Sequence, residues 1–430
     1  LNRDSWMLFN INIEIYFLSP RRTTTMSMAV RRKKLLWFPI VLMCILWAYA
    51  YNDVMSSNQA GLVDMDRGIV HKLLIILISL LLGYIFWGKK SAIYSISKNR
   101  HNPVIVLVLI FLWVGLVGVL NQVDLGALLT HLLISFWWII TYLFAKKYTE
   151  NHIEEFQQIL RLYIIMYFVY IWVNIIARNQ IQTNFERDFA ITVYIYYILL
   201  FIPFIYMIQR NIIRNALLII AIAMVATSYK RGTIICLPIM LIAYEFVQSI
   251  IKNKWFSFIR RVVFLVVAIG VFLFLVNETS GGFLSERFAK EELESGSGRS
   301  DIWDIALTAI ANRSFLETIV GTGSGSSVRL LGTGAHNEWI EFLFSFGVVG
   351  VMLYASMCII WISECLYYVK RKAEYAPHMC MMTTYLLIGG LFSGFYFQHT
   401  SFYFFSLMGV CKALNDKQLL STCHQLKKHL

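Results

Sequence analysis

Charge is what this sequence has least of. Only 15% of its 430 residues are charged, while 58% are hydrophobic and 15% aromatic. A soluble domain carries roughly a quarter charged residues on its surface, so this composition excludes a soluble globule. Acidic residues are the scarcer sign, 25 against 38 Lys and Arg, which leaves a formal net charge of +13. Cysteine is absent where it would matter. Cys44, Cys236, Cys358, Cys365, Cys380, Cys411 and Cys423 fall in apolar runs, at their ends or in the tail, and none lies in the polar stretch 277–336. No disulfide framework is implied, and no Cys/His spacing resembles a zinc site.

What is present is apolar length. Runs of hydrophobic residues recur at about 35–51, 69–88, 103–120, 129–145, 159–177, 190–208, 212–227, 233–250, 261–276, 339–363, 380–397 and 400–413. A helix of roughly 20 residues crosses a bilayer core, and these runs are too long and too unalternating for barrel strands. The expected fold is an all-α polytopic membrane protein with about twelve spans, and no internal repeat is visible. The basic Arg31–Lys34, the apolar run after it and Ala48-Tyr49-Ala50 fit a cleavable signal peptide or a first span. The eleven runs that follow favour a span, and cleavage would not alter the orientation of the rest. The chain opens on Leu1, and part of the irregular stretch before Met26 or Met28 is expected to lie outside the native product.

Charge orients the spans. With the N-terminus inside, about 26 of the 38 Lys and Arg fall on the inner side, as the positive-inside rule requires. Both termini are then cytoplasmic. The positive charge follows from this bias and calls for no nucleic-acid partner. The expected division is an N-terminal segment 1–34, nine spans within 35–276, a large extracytoplasmic loop 277–336, three spans within 337–413 and a tail 414–430. Against the rule, Arg231, Arg287, Arg299, Arg313 and Arg329 all fall outside.

The loop reads as a small folded unit. After the Gly/Ser hinge Ser295–Gly298, residues 301–312 place Ile302, Ala306, Ala309 and Ile310 at helical spacing, with Ser300 as the N-cap and Asp301 and Asp304 in the first turn. Arg299 then stands beside a helix N-terminus, where a guanidinium and free backbone N–H groups suit an anion such as a diphosphate. A plain ion pair with Glu291, Glu292 or Asp301 is the alternative. Gly321-Thr322-Gly323-Ser324-Gly325 lets the backbone approach a ligand or fold into a tight turn, and no preceding strand supports a dinucleotide site. His336-Asn337-Glu338 lies where the chain re-enters the membrane: Asn337 caps the tenth span, and Glu338, Glu341 and Ser345 share one face. His336, with an ordinary pKa near 6.5, is the candidate general base of the loop or else a polar interface anchor. Asp301, Asp304, Glu338 and Glu341 are explained by helix positions, so no metal ligand set is expected.

Taken in order, Thr227-Ser228-Tyr229-Lys230-Arg231-Gly232, Arg287-Phe288, Gly298-Arg299-Ser300-Asp301-Ile302-Trp303, the glycine run, His336-Asn337-Glu338-Trp339 and Phe346-Gly347-Val348-Val349-Gly350 resemble the O-antigen ligase and O-antigen polymerase (Wzy-like) superfamily. The motifs cover about 225–355, and one departure is the absence of a proline before the glycine run. The resemblance implies a GT-C-like, metal-independent glycosyltransferase without a cofactor, in the bacterial plasma membrane with its site on the outer face. Its donor would be an oligosaccharide on undecaprenyl diphosphate and its acceptor a glycan or lipid-linked glycan. A chain-length regulator and a flippase would be its partners. Arg231 and Arg299 would stabilise the leaving diphosphate, and His336 would be the base. Arg287, Glu338, Asn337, Trp303, Gly323 and Gly325 would contact substrate. Polymerase is the reading preferred; the alternatives are a ligase acting on lipid A core and, from another class, a polysaccharide or lipid-linked sugar transporter. A transporter predicts midplane charges and broken helices in matching halves.

Overall fold

The computed structural model describes residues 103–429 apart from 152, 154–155, 186–194, 290–298, 333 and 393–399, all within the unit Met43–Leu430. The expected spans at 35–51 and 69–88 and the hinge Ser295–Gly298 lie outside the described residues. Among those described, the regular structure is entirely helical. The apolar runs call for this, because a helix satisfies its own backbone in hydrocarbon.

Seven helices come first: α1 (Pro103–Leu120), α2 (Leu125–Asn151), α3 (Phe156–Phe185), α4 (Ile195–Tyr206), α5 (Asn211–Ala226), α6 (Arg231–Lys252) and α7 (Trp255–Thr279). Four short ones follow, α8 (Phe283–Arg287), α9 (Arg299–Ala311), α10 (Phe315–Val320) and α11 (Ser326–Leu331). The chain ends with α12 (Glu338–Lys370), α13 (Ala376–Phe392) and α14 (Thr400–His429). In its described part, each apolar run expected from residue 103 onward coincides largely with a helix. Five of these helices, α1, α2, α6, α7 and α12, are long and apolar enough to cross a membrane. Three others, α4, α5 and α13, are apolar but only 12, 16 and 17 residues long. The last helix, α14, continues past 414, where the tail is expected to begin.

Packing distinguishes the helices. In α4 every residue from Ile195 to Ile205 is buried, which explains why it reads as continuously apolar. Large aromatics fill the seams around α14 and α12: Trp138 stacks on Phe405 at 4.8 Å, and Tyr142 meets Trp361 edge-on at 5.5 Å. By contrast most of α7 is exposed: Val262, Leu265, Ile269 and Phe272 are half-buried and Val276 is buried, while Val263, Phe264, Val267 and Phe274 stay exposed. Apolar residues all round, most of them exposed, suit a helix facing lipid.

One helix is broken. Within α12, Gly347 adopts φ 64°, ψ −167°, which releases carbonyls of the preceding turn. Each released group finds a donor: Trp113 Nε1 gives to Phe346 O at 3.0 Å, Gly323 N to Ser345 O at 2.9 Å and Arg313 Nη1 to Phe344 O at 2.9 Å. Irregular backbone at membrane depth survives only when the protein supplies such partners.

Candidate functional site

The turn from α5 into α6 is wound tightly by its own side chains. Ser228 Oγ donates to Val225 O at 2.6 Å and accepts from Lys230 N at 3.2 Å, and Thr233 Oγ1 donates to Lys230 O at 2.8 Å. Tyr229, between them, sits at φ 52° with its ring edge-on to Phe283 at 5.1 Å. Lys230 and Arg231 are thereby presented together at the start of α6. Gly232 follows because nothing larger fits: a Cβ there would lie 2.3 Å from Tyr196 Oη and 2.6 Å from Phe392 Cβ. The first turn of α6 is thus wedged between α4 and the end of α13.

Two guanidinium groups are aimed by backbone carbonyls. Arg231 Nη1 donates to Arg287 O at 3.2 Å, and Arg299 Nη1 donates to Phe392 O at 3.0 Å. The first bond ties α6 to α8 and the second ties α9 to α13. The charges feel each other: burial, then Arg299, Arg287 and Arg231, lower the Lys230 ammonium to about 8. Burial, then Arg299 and Lys230, lower the His336 imidazole to about 4. Burial and Arg287 also lower Arg299, with Tyr196 acting against them. Cations crowd here although like charges repel.

His336 owes its position to a buried carboxylate. Glu341, 3% exposed, accepts from Ala335 N at 3.0 Å and from Ser345 Oγ at 3.3 Å, and also takes the Ser327 hydroxyl. Trp303 Nε1 holds Ala335 O from the other side at 2.7 Å. The chain then turns through His336 at φ 52°, and Asn337 caps α12 by accepting from Trp339 N at 3.0 Å and Ile340 N at 3.3 Å. Three features of the sequence reading appear as expected: the Asn337 cap, Arg299 at a helix start, and Glu341 with Ser345 on one face. The described part of α9 begins at Arg299, with Ser300 and Asp301 in its first turn. The free imidazole pKa near 6.5 assumed for His336 is displaced, by burial and by its cationic neighbours.

The remaining candidates are Glu338, Trp303 and the glycines. Glu338 is fully buried against Gly390, beside Tyr354. Trp303 spends its indole N–H on the main chain. The glycine run takes the tight-turn alternative. A Cβ on Gly321 would strike Ser345 O and Gly347 N at 2.5 Å, and one on Gly323 would strike Val123 Cγ2 at 2.5 Å. These glycines let the loop lie against the break in α12, so the backbone that they admit is the protein's own. Gly325, at φ 71°, starts α11. Sequence reasoning passed over Lys230, Tyr196 and Glu341 as site residues. Lys230 was visible, since it precedes Arg231 in the same motif; Tyr196 carried no signal, being one of many aromatics in an apolar run.

The fold and the site together define a helical protein with membrane-length spans and a cluster of arginines, a lysine and a histidine between its short and long helices. Residues 216–355 match a family model described as O-antigen ligase. The matched stretch contains Lys230, Arg231, Arg287, Arg299 and His336, and it supports an O-antigen ligase/polymerase-like superfamily. In general terms this supports ligase- or polymerase-type activity on lipid-linked glycans in a membrane. No curated protein matches the chain in sequence.

Proposed function

We propose that the protein is a metal-independent glycosyltransferase of the bacterial plasma membrane that polymerises undecaprenyl-diphosphate-linked repeat units, in a GT-C-like arrangement of twelve spans with the site on the outer face. The observation that carries this reading is the meeting of Lys230, Arg231, Arg287 and Arg299 with His336. When the bond from the anomeric carbon to the diphosphate breaks, its electron pair leaves with the diphosphate. Fixed guanidinium groups stabilise that developing charge without a metal. The acceptor hydroxyl attacks the same carbon and loses its proton to the neutral imidazole of His336. A His336 pKa of about 4 makes a weak base in the donor-free site, but a bound diphosphate opposes the cations that depress it and raises its basicity.

A ligase reading is favoured by one observation, the description of the matched family. The two differ in acceptor. Purified protein given a lipid-linked repeat unit, with and without lipid A core, separates them: polymer without core supports polymerase, transfer only to core supports ligase, and no product in either assay removes the transferase reading. The outer-face placement has its own check. Ser327 is buried and bound to Glu341, whereas Leu330 is 55% exposed, so a cysteine at Leu330 is the better reporter. It should react with an impermeant thiol reagent in spheroplasts; labelling only after permeabilisation would invert the topology.

A further inference from the structure

We infer that Cys365 and Cys380 form a modification site, at which hydrogen peroxide joins the two sulfurs as an intramolecular disulfide that staples α12 to α13. Both thiols are free in the structure. The inference stands apart from the proposed transferase activity, because it rests on the packing of these two helices alone.

Register brings the thiols to one level. α12 ends at Lys370 and α13 begins at Ala376, and the two helices pack against each other across the short turn between them. Cys365 lies five residues before Lys370 and Cys380 four after Ala376. At a rise of about 1.5 Å per residue, each is about 6–8 Å along its helix from the turn. Equal depth alone would not make them face each other. Cys365 Sγ, however, lies 3.4 Å from Thr383 Oγ1, and Thr383 is one helical turn beyond Cys380 on the same face of α13. The two thiols also share a side-chain hydrogen bond of their own. From such a contact, rotation about the Cα–Cβ bonds carries the sulfurs toward the roughly 2 Å of a disulfide.

Exposure sets the order of the chemistry. Cys380 is half-buried, whereas Cys365 is only 6% exposed. A small neutral oxidant therefore meets Cys380 first. Its sulfur attacks one oxygen of the peroxide, the O–O bond breaks, and the other oxygen leaves as water with the thiol proton, so that Cys380 becomes a sulfenic acid. The Cys365 sulfur then attacks the sulfenic sulfur, whose hydroxyl leaves as a second water with the Cys365 proton. Two thiols lose two electrons in all, and the peroxide takes them up. In the proposed topology the pair lies on the cytoplasmic side, where thiols stay reduced until an oxidant arrives. The bond would link residues 15 apart in sequence, closing a loop around the turn and restricting the unfolded chain. It lies at the opposite end of α12 from the Asn337 cap, so its effect falls on stability.

The test treats the purified full chain in nanodiscs with hydrogen peroxide, denatures it in N-ethylmaleimide and maps the peptides by mass spectrometry. Wild type should yield two peptides joined through Cys365 and Cys380 that dithiothreitol separates, a result that depends on no variant folding. Oxidised wild type should also unfold a few degrees above the reduced protein. Cys365→Ser should stop at the Cys380 sulfenic acid, trapped by dimedone, with no rise in unfolding temperature. Recovery of both wild-type cysteines as maleimide adducts overturns the inference, as does a dimedone adduct of wild-type Cys380 without the linked peptides. Linkage of either sulfur to a different cysteine would overturn it too, and a linked protein that unfolds no higher than the reduced one would overturn the staple.

Discussion

The two ends of α12 carry polar clusters built on opposite rules. Near its end, Lys412 is bonded to Glu364 and donates to Tyr368 Oη at 3.2 Å, Tyr368 donates to Asp416, and Lys146 stands 3.9 Å from Asp416. Opposite charges interlock, and both Lys412 and Glu364 are nearly sealed from solvent. Just before its start, the cations Lys230, Arg231, Arg287 and Arg299 gather, with Arg299 and Lys230 acting on a neutral His336. Glu364 and Lys412 offset each other's charge, whereas the charged groups that act on Lys230 are all cations. The comparison sets an element that ties α14 to α12 against one whose charge the proposed diphosphate donor would offset.

The sharpest way to break this comparison is to remove members of the cationic cluster. His336→Ala should leave donor binding nearly intact and cut turnover by roughly 10² to 10⁴, the usual worth of general acid-base catalysis. Arg299→Ala or Arg231→Ala should instead weaken donor binding and slow transfer together, with Lys rescuing only part because it lacks the bidentate fork. Near wild-type turnover in a normally expressed His336→Ala protein would leave His336 as an interface anchor.

At the paired end the effect should be on stability. Glu364→Ala or Lys412→Ala strands the other charge in an apolar interior, which costs about 3–5 kcal/mol. Replacing both, as Glu364→Leu with Lys412→Met, should cost far less than the sum of the single changes. Thermal unfolding in detergent measures this, and transfer by the double variant should approach wild type. Additive losses would mean that the pair does not act as a unit.

How much of this was legible beforehand differs between the same regions. Helix type and most boundaries from residue 103 onward follow from apolar run length, because backbone in hydrocarbon has few alternatives. The motif order also brought Arg231, Arg299 and His336 forward as one set. What stayed hidden depends on contacts distant in sequence. That Gly321 and Gly323 close a break at Gly347 cannot be read from a glycine run, which looks the same whether its partner is a ligand or another strand of backbone. Likewise the descent of the His336 pKa to about 4 depends on its burial and then on Arg299 and Lys230, 37 and 106 residues away in sequence. The Lys412–Glu364 pair links α14 to α12, and neither residue carries a local signal for the other.

A smaller effect should appear with pH. In the donor-free protein Lys230 titrates at about 8, and the anionic donor favours its charged form. Below that pH the lysine is already protonated and binding takes up no proton. Above it, binding must recruit one, so donor affinity should fall by about tenfold per pH unit. Lys230→Arg should flatten this limb, since guanidinium stays charged. On the acid side, kcat/KM should decline near pH 4 rather than near 6.5, because it reports the free protein, in which His336 is held at about 4. An acid limb at 6.5, or a basic limb that persists in Lys230→Arg, would assign these ionisations to other groups.

The smallest expected effect is that of a chelator. The carboxylates nearest the motifs fall into two sets with separate occupations. Asp301 and Asp304 are exposed on α9, where Asp301 meets the positive end of the helix dipole. Glu338 and Glu341 are buried on α12, and Glu341 is already committed to Ser327, Ala335 and Ser345. Among the described residues no three His, Cys, Asp or Glu side chains converge as a ligand set. If the guanidinium groups carry the leaving-group charge, transfer should proceed at an unchanged rate in EDTA, measured on purified protein with the lipid-linked donor. Loss of activity in EDTA, restored by magnesium or manganese, would move that charge from the arginines to an ion. The cationic end of α12 would then require a different explanation from the one its contrast with the paired end suggests.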